Sequence, residues 1–479
     1  MTGRQLDLFE DYAASVCHGA TGEGGTQSGA FEERQPSTVA DKSRALAQDV
    51  MERAAGLANL IEAVRRVRRN AGAAGADGMT VQELKHWFPK HAHQLQHALL
   101  TGTYRPQPVL GVQIPKPGGG MRQLGIPTVV DRVVQQALLQ ALEPLLDPTF
   151  SGSSFGFRPR RSAHQALAQA SGYVREGRCI VVDIDLEKFF DRVNHDILMA
   201  RLARRVADKH ALKLIRRFLE AGMMHNGVCM KREEGTPQGG PLSPLLANLL
   251  LDDLDQELER RGHKFCRYAD DCNIYVQTRA AGERVMQSVT RFLEGKLKLR
   301  VNREKSAVAH TEERKFLGYR LLKGGKLGIA PKSLERAKDR LRELTRRNRG
   351  NASFSQRIAE INRFLNGWLH YFALASAKGH IEQLSEWLRR KLRCVKLKNC
   401  KRVFAIARFL IAHGVRENEA WMLAGSGKGW WCKSKTPQAS RAMNLTWFHE
   451  QGLINPLKLY VKLNYERNRR GTEQVCPVV

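Results

Sequence analysis

Two strand-like runs that end in carboxylates set the strongest limit on how this chain can fold. In "RCIVVDIDLEKFFD" an apolar run through Val182 to Ile184 carries Asp183 and leads to Asp185 and Asp191. In "HKFCRYADDCNIYVQT" Asp270 and Asp271 sit at a turn between two β-type stretches. A lone Asp-Asp has an ordinary explanation in turn structure, since Asp bonds nearby backbone and tolerates left-handed geometry. A second acidic strand end changes that reading. Alternation places Asp183 and Asp185 on one face if the strand extends that far, and two adjacent strands would bring both sets of acids to one point. Carboxylates that close repel one another and stay ionised only beside cations or donors. Mg²⁺ meets that need with a few carboxylates, waters and substrate phosphates, and a pair of ions stabilises both the attacking and the leaving oxygen of a phosphoryl displacement.

The rest of the chain carries the opposite charge. Seventy-eight Lys and Arg against 48 Asp and Glu leave a formal charge of +30, which points to nucleic acid as partner. The charge is spread along the chain instead of forming one block, which argues against a basic amphipathic membrane binder. Nine cysteines include no Cys-x-x-Cys pair, so neither a zinc ribbon nor a disulfide framework is signalled and the thiols read as reduced. The N-terminal stretch lacks the basic and apolar regions of a signal peptide. No run approaches the roughly 18 apolar residues that suggest a membrane span.

The 479 residues are expected to form more than one domain. Residues 1–42, rich in Gly, Ser, Thr and Glu, read as a mobile tail. Leu57, Leu60, Ile61, Val64 and Val67 recur at helical spacing, with four arginines on the other face. "VLGVQIPKPGGGMRQLGIP" predicts a hairpin around its Pro-Gly-Gly-Gly turn. "PQGGPLSPLLANLLLDDL" predicts a loop entering a helix, with Ser243 as N-cap, Pro244 as first residue, and Leu246, Leu249, Leu250 and Leu254 buried. Strand signals fade after about residue 330, and six of the seven tryptophans lie beyond it. A boundary is therefore expected near 328–332.

Tyr268-Ala269-Asp270-Asp271 resembles the Y-x-D-D box of reverse transcriptases, and "DLEKFFD" resembles their other acidic motif, an Asp followed six residues on by Asp. "TPQGGPLSP" is similar to the segment between those boxes, and "IPKPGGGMRQLGIP", "SFGFRPRRSAHQAL", "LRVNREKS" and "KFLGYRL" stand in matching order. Further on, "FLNGWLHYF", "WLRRKLR", "AGSGKGWWCKS" and "NLTWFHEQGL" resemble the thumb and maturase region of group II intron-encoded proteins. "RRVRRNAGAAGADGMTVQEL" resembles their N-terminal finger extension, so the resemblance covers about residues 50–460.

That resemblance implies an α+β right-hand polymerase: fingers and palm with an antiparallel sheet over 43–328, a helical thumb and maturase region over 329–400, and a small helical nucleic-acid-binding region over 401–479. It implies an RNA-directed DNA polymerase that adds deoxynucleoside triphosphates to a primer 3′-hydroxyl, and a maturase that binds group II intron RNA. Two Mg²⁺ ions are implied, with Mn²⁺ as a substitute. RNA template, DNA primer or target DNA, and a bacterial cytoplasmic setting without membrane follow from the same likeness. Neither paired Cys nor a His-Asn-His cluster follows the maturase motifs, so no endonuclease domain is expected. Two rival readings remain open, a splicing-only RNA-binding cofactor and a domesticated reverse transcriptase in defence or DNA repair.

Matched to the motifs, Asp185 and Asp270 are the implied metal ligands, with Asp271 assisting and Asp183 structural. Phe190 stands where a ring would press on the sugar and exclude a 2′-hydroxyl. Arg122 is matched to a triphosphate-gripping arginine, with Lys116 as helper because Gly120 replaces a lysine common in relatives. Gln238, with two following glycines, fits a loop beneath the templating base. Lys305 resembles a lysine that protonates pyrophosphate, though a plain phosphate contact is an equal alternative. Arg158 and Arg161 are read as template contacts or finger supports, and Lys428 and Trp430 as nucleic-acid contacts among basic residues. Because many phosphates would be neutralised, RNA affinity should fall steeply with salt. For six to ten phosphate contacts, filter binding should show a loss of roughly 10³–10⁵ between about 50 and 200 mM salt.

Overall fold

A computed structural model describes residues 47–115, 119–225, 228–230, 234–237, 239–346 and 353–473. The tail read over 1–42, Lys116 and Gln238 lie outside these residues. The chain forms two compact units, one made of Ile180–Val308 with the chain up to Ala166, the other of Leu167–Cys179 and Ala309 onward.

In the first unit, β1 (Val109–Pro115) and β2 (Met121–Ile126) form the hairpin that the Pro-Gly-Gly-Gly turn predicts, pairing Pro115 with Met121 and Leu110 with Ile126. The central strand β3 (Ile180–Ile184) is short and apolar. Two further strands, β4 (Met223–His225) and β5 (Val228–Met230), extend the hairpin into a sheet of order β2-β1-β4-β5. The second sheet adds β6 (Lys264–Tyr268), β7 (Asp271–Val276) and β8 (Ala307–His310) to β3, in the order β6-β7-β3-β8. Residues Cys272 to Val276 of β7 are all buried. That two-sided burial explains why this region reads as continuous apolar runs instead of clean alternation.

Helices Leu57–Asn70, Val129–Leu146 and Ser243–Arg260 share an apolar core with β3 and β7. Leu60, Ile61, Val64 and Val67 face that core as their spacing predicts. Helix Ser243–Arg260 is more enclosed than its leucine stripe implies, since Asn248, Asp252 and Asp255 are buried too. Its cap also differs from expectation: Leu242 is the N-cap and Ser243 the first helical residue. The Ser243 hydroxyl donates to the Pro237 carbonyl at 2.9 Å instead of capping the helix, so it closes the preceding loop.

The second unit is mainly helical, built on Pro331–Leu344, Phe354–Tyr371 and Lys378–Asn399 with shorter helices after them. Ser353 and Gln356 form a capping box that starts the second of these. Leu341, Ile361, Leu365, Leu388, Leu410 and Phe448 lie in its core. This unit also takes in β9 (Tyr319–Leu321) and β10 (Leu327–Ile329), so the two compact units divide at 308/309. The Tyr319 ring lies tilted 4.9 Å from that of Phe372, and Ser376 N donates to Leu327 O at 2.6 Å. These contacts bind the hairpin to the helices that follow it. No helix among the described residues is long and apolar enough to cross a membrane.

Ile274 at the middle of β7 is fully buried. Ile274→Ala should destabilise the first unit by about 2–5 kcal/mol, measured by urea unfolding.

Candidate active site

The register between β3 and β7 brings the acidic strand ends together. The antiparallel pairing runs from Ile180↔Val276 to Ile184↔Cys272, and β3 stops there, so Asp185 is the first residue past its end. Its backbone is held on both sides. Asp185 N donates to the Ser306 hydroxyl at 3.0 Å, and Asn302 N donates to Asp185 O at 2.8 Å. Lys305 Nζ lies 3.3 Å from Asp185 Oδ2.

Asp270 arrives by a different device. Tyr268 pairs with Asp271, which leaves Ala269 and Asp270 as a two-residue hairpin loop. Ala269 adopts φ +59°, a left-handed position that usually selects glycine. Burial raises the Asp270 carboxyl above the ordinary range, and the negative Asp185 adds to the rise. The residue's own backbone N–H, Arg122 and Arg267 pull the other way. Asp185, Asp270, Arg122, Phe190, Gly239 and Lys305 all line one cleft of about 1060 Å³.

This donor set fits a hard divalent cation. Mg²⁺ is commonly held by one or two carboxylates, with water and substrate phosphate completing its shell. The Lys305 ammonium beside Asp185 shows that positive charge is accommodated there. Asp271 is exposed at the head of β7. Among the described residues, no group of three or more His, Cys, Asp or Glu side chains is assembled as a metal site. Asp185 and Asp270 are therefore the pair to consider, with Asp271 beside it.

Residues 114–321 match the family described as reverse transcriptase (RNA-dependent DNA polymerase), and residues 334–408 match the group II intron maturase-specific domain. Protein YkfC of Escherichia coli (strain K12) is 35% identical over 306 residues, covering 55% of this chain and 80% of that protein. The group II intron-encoded protein LtrA of Lactococcus lactis subsp. cremoris is 30% identical over 310 residues, covering 51% of this chain and 50% of that protein. The chain belongs to the group II intron-encoded reverse transcriptase/maturase family. The match thus spans about half the length of LtrA. Among solved structures, telomerase from Candida albicans aligns over 65% of this chain and 63% of that one, at 12% identity and a TM-score of 0.37. The family assignment rests on sequence.

Within this reverse transcriptase/maturase, Arg122 is exposed on β2 opposite Ile114 and lines the cleft. Phe190 is half-buried, edge-on to Phe189 at 5.2 Å, and also faces the cleft. Gly239 has φ +135°, and a Cβ there would sit 2.8 Å from Gly125 O. A Cβ on Gly240 would meet Gln135 Oε1 at 2.3 Å. The loop is thus pressed between β2 and helix Val129–Leu146, which explains why both residues are glycine.

Of the two settings open to Arg158, its contacts fit support of the fingers. It is buried, with Nε 2.6 Å from Asp147 Oδ1 and Nη1 donating to the carbonyls of Ser151 and Ser154. A guanidinium so engaged supports the loop instead of reaching template. Arg161 is exposed, with its guanidinium 5.5 Å from the Phe155 ring. In the second unit Lys428 is exposed, whereas Trp430 is half-buried against the core. The accessible ring is its neighbour: Trp431 is 39% exposed, with the Arg390 guanidinium 3.6 Å over it.

The sequence reading missed Arg267, which is fully buried under the Ala269–Asp270 turn. It forms a bidentate pair with Asp255 at 2.7 and 2.6 Å. Burial opposes its charge, but Asp255 holds the guanidinium protonated and raises its pKa. The available signal was a charged residue inside an apolar strand, together with the acids of "LLLDDLDQEL" on a helix otherwise apolar. Losing one partner of such a pair typically costs about 3–5 kcal/mol.

A carboxyl whose pKa is raised by folding stabilises the fold below its unfolded pKa and loses that contribution as pH rises through the folded one. In EDTA at neutral pH, Asp270→Asn should therefore melt higher than wild type. The difference should shrink as pH falls toward the ordinary Asp value of 3.8. Differential scanning calorimetry across that range tests the sign.

Proposed function

We propose that this chain extends a DNA 3′-hydroxyl on an RNA template, and that its maturase region binds group II intron RNA and promotes its splicing. The observation that carries the polymerase reading is the meeting of Asp185 and Asp270 in a cleft flanked by Arg122 and Lys305. In this reading the first unit supplies fingers and palm, and the second supplies thumb and maturase surfaces. Asp185 and Asp270 hold two Mg²⁺ ions, or Mn²⁺ in their place, with Asp271 assisting. When bound, such ions lower the pKa of the primer hydroxyl and offset charge on the attacking and leaving oxygens.

The chain's own residues do the positioning. Arg122 grips the triphosphate through forked hydrogen bonds, assisted by Lys116. Phe190 presses on the sugar and leaves no room for a 2′-hydroxyl. Gln238 and the two glycines after it carry the templating base. Lys305 holds a proton at Nζ, beside Asp185, that pyrophosphate can take as it leaves. Arg161 contacts the template strand. Lys428, Trp430 and the more exposed Trp431 contact nucleic acid through phosphate attraction and base stacking.

RNA-templated primer extension by wild type beside Asp270→Ala, with intron splicing measured in parallel, tests both halves. The variant should lose extension by roughly 10²–10³-fold or more, equivalent to several kcal/mol of charge stabilisation. Splicing should persist. Absence of RNA-templated extension by wild type would reject the polymerase reading.

A further inference from the structure

Every donor of the Arg267 guanidinium is used. Nε and one Nη2 hydrogen go to the two Asp255 oxygens, and the other Nη2 hydrogen goes to Ser154 Oγ at 2.7 Å. Nη1 donates to Asn248 Oδ1 at 2.9 Å and to Ala269 O at 2.8 Å. That last acceptor is the carbonyl immediately before Asp270. The four residues Arg267, Asp255, Asn248 and Ser154 are each no more than 1% exposed. The backbone of Arg267 is clamped as well: its N donates to Ser153 O and its O accepts from Phe155 N, both at 2.9 Å.

A second support meets the same turn. Asn248 Nδ2 donates to Gly156 O at 2.8 Å. Gly156 lies so close to the turn that a Cβ there would stand 2.2 Å from Ala269 N. The Arg267 bond holds Ala269 O from below while the Gly156 backbone abuts Ala269 N. Both contacts fall on the residue with φ +59°. A left-handed alanine is unfavourable by itself and persists where its surroundings over-determine it.

We propose that Arg267 is a positioning residue. With Asn248 and Gly156 it fixes the backbone of the Ala269–Asp270 turn, so that the Asp270 carboxylate is presented beside Asp185 without reorganisation. The role demands a planar five-donor fork. Lysine, with three donors on a single nitrogen, cannot serve Asp255, Asn248, Ser154 and Ala269 together. This inference rests on the polymerase reading above.

Two variants and one wild-type measurement test it. Arg267→Lys keeps the charge beside Asp255 but breaks up the fork. Gly156→Ala leaves Arg267 and its Asp255, Asn248 and Ser154 side-chain partners chemically intact and pushes on Ala269. Each should lower the kcat of extension on the order of 10–100-fold, with KM for primer–template within about twofold, as outer supports of a metal site do. Mn²⁺ binding to protein free of nucleic acid, read by electron paramagnetic resonance, should weaken in parallel. In wild type without metal, the NMR order parameters of Ala269 and Asp270 should match rigid backbone near about 0.85. Folded variants that keep wild-type Mn²⁺ affinity and kcat would overturn the proposal. So would order parameters below about 0.6 in wild type, a result that needs no variant to fold. If wild type extends no primer, the polymerase reading falls, while the Mn²⁺ and order-parameter results still judge the positioning role.

Discussion

The pairing of β3 with β7 is the constraint on which the site depends. With Ile184 opposite Cys272, Asp185 leaves the sheet beside the hairpin turn that carries Asp270. A shift of one residue would turn each side chain to the opposite face, sending Asp185 away from its partner and apolar residues out of the core. The register is strongly specified because one face of the pair is committed to the core. Ile180, Val182, Ile184, Cys272, Ile274 and Val276 all enter one apolar cluster. Hydrophobic burial and the placing of the two carboxylates are thus set by the same hydrogen-bond ladder.

The two carboxylates are held by unlike means, and the difference has a physical basis. Asp185 follows a strand end and is tied by a hydroxyl and a backbone amide from the Asn302–Ser306 segment. Asp270 sits in a tight turn, where no ladder continues to hold it. A buried arginine and a glycine contact supply that restraint instead. The segment from Asp147 to Arg158 joins the two kinds of support. Arg158 organises it around Asp147, and Ser154 meets both arginines, giving its carbonyl to Arg158 and its hydroxyl to Arg267. Positive charge in this protein therefore divides into two uses. Exposed residues such as Arg122 and Lys305 line the cleft, while buried ones such as Arg158 and Arg267 hold the scaffold.

Much of the candidate site was legible because its chemistry is local. Acids at strand ends, a glycine pair before a helix and an arginine in a hairpin can each be seen in short windows. Readings that needed distant partners fared less well. For Arg158, template contact and finger support stay undivided in the sequence, because nothing nearby announces that Asp147 and three carbonyls will engage it. Ser243 was read as an N-cap, yet its hydroxyl turned to Pro237. That the compact units divide near 308 has no local sign, because β9 and β10 look like parts of a sheet but pack with helices.

By itself, the sequence determined that this is a mixed α/β and helical reverse transcriptase/maturase chain, since motif order, charge and apolar periodicity are carried by the residues themselves. Only the tertiary structure decided which charges face the cleft and which are internal. A guanidinium has the same formal charge in either place. Its task depends on whether acceptors from remote segments converge on it, as Asp255, Asn248, Ser154 and Ala269 do on Arg267.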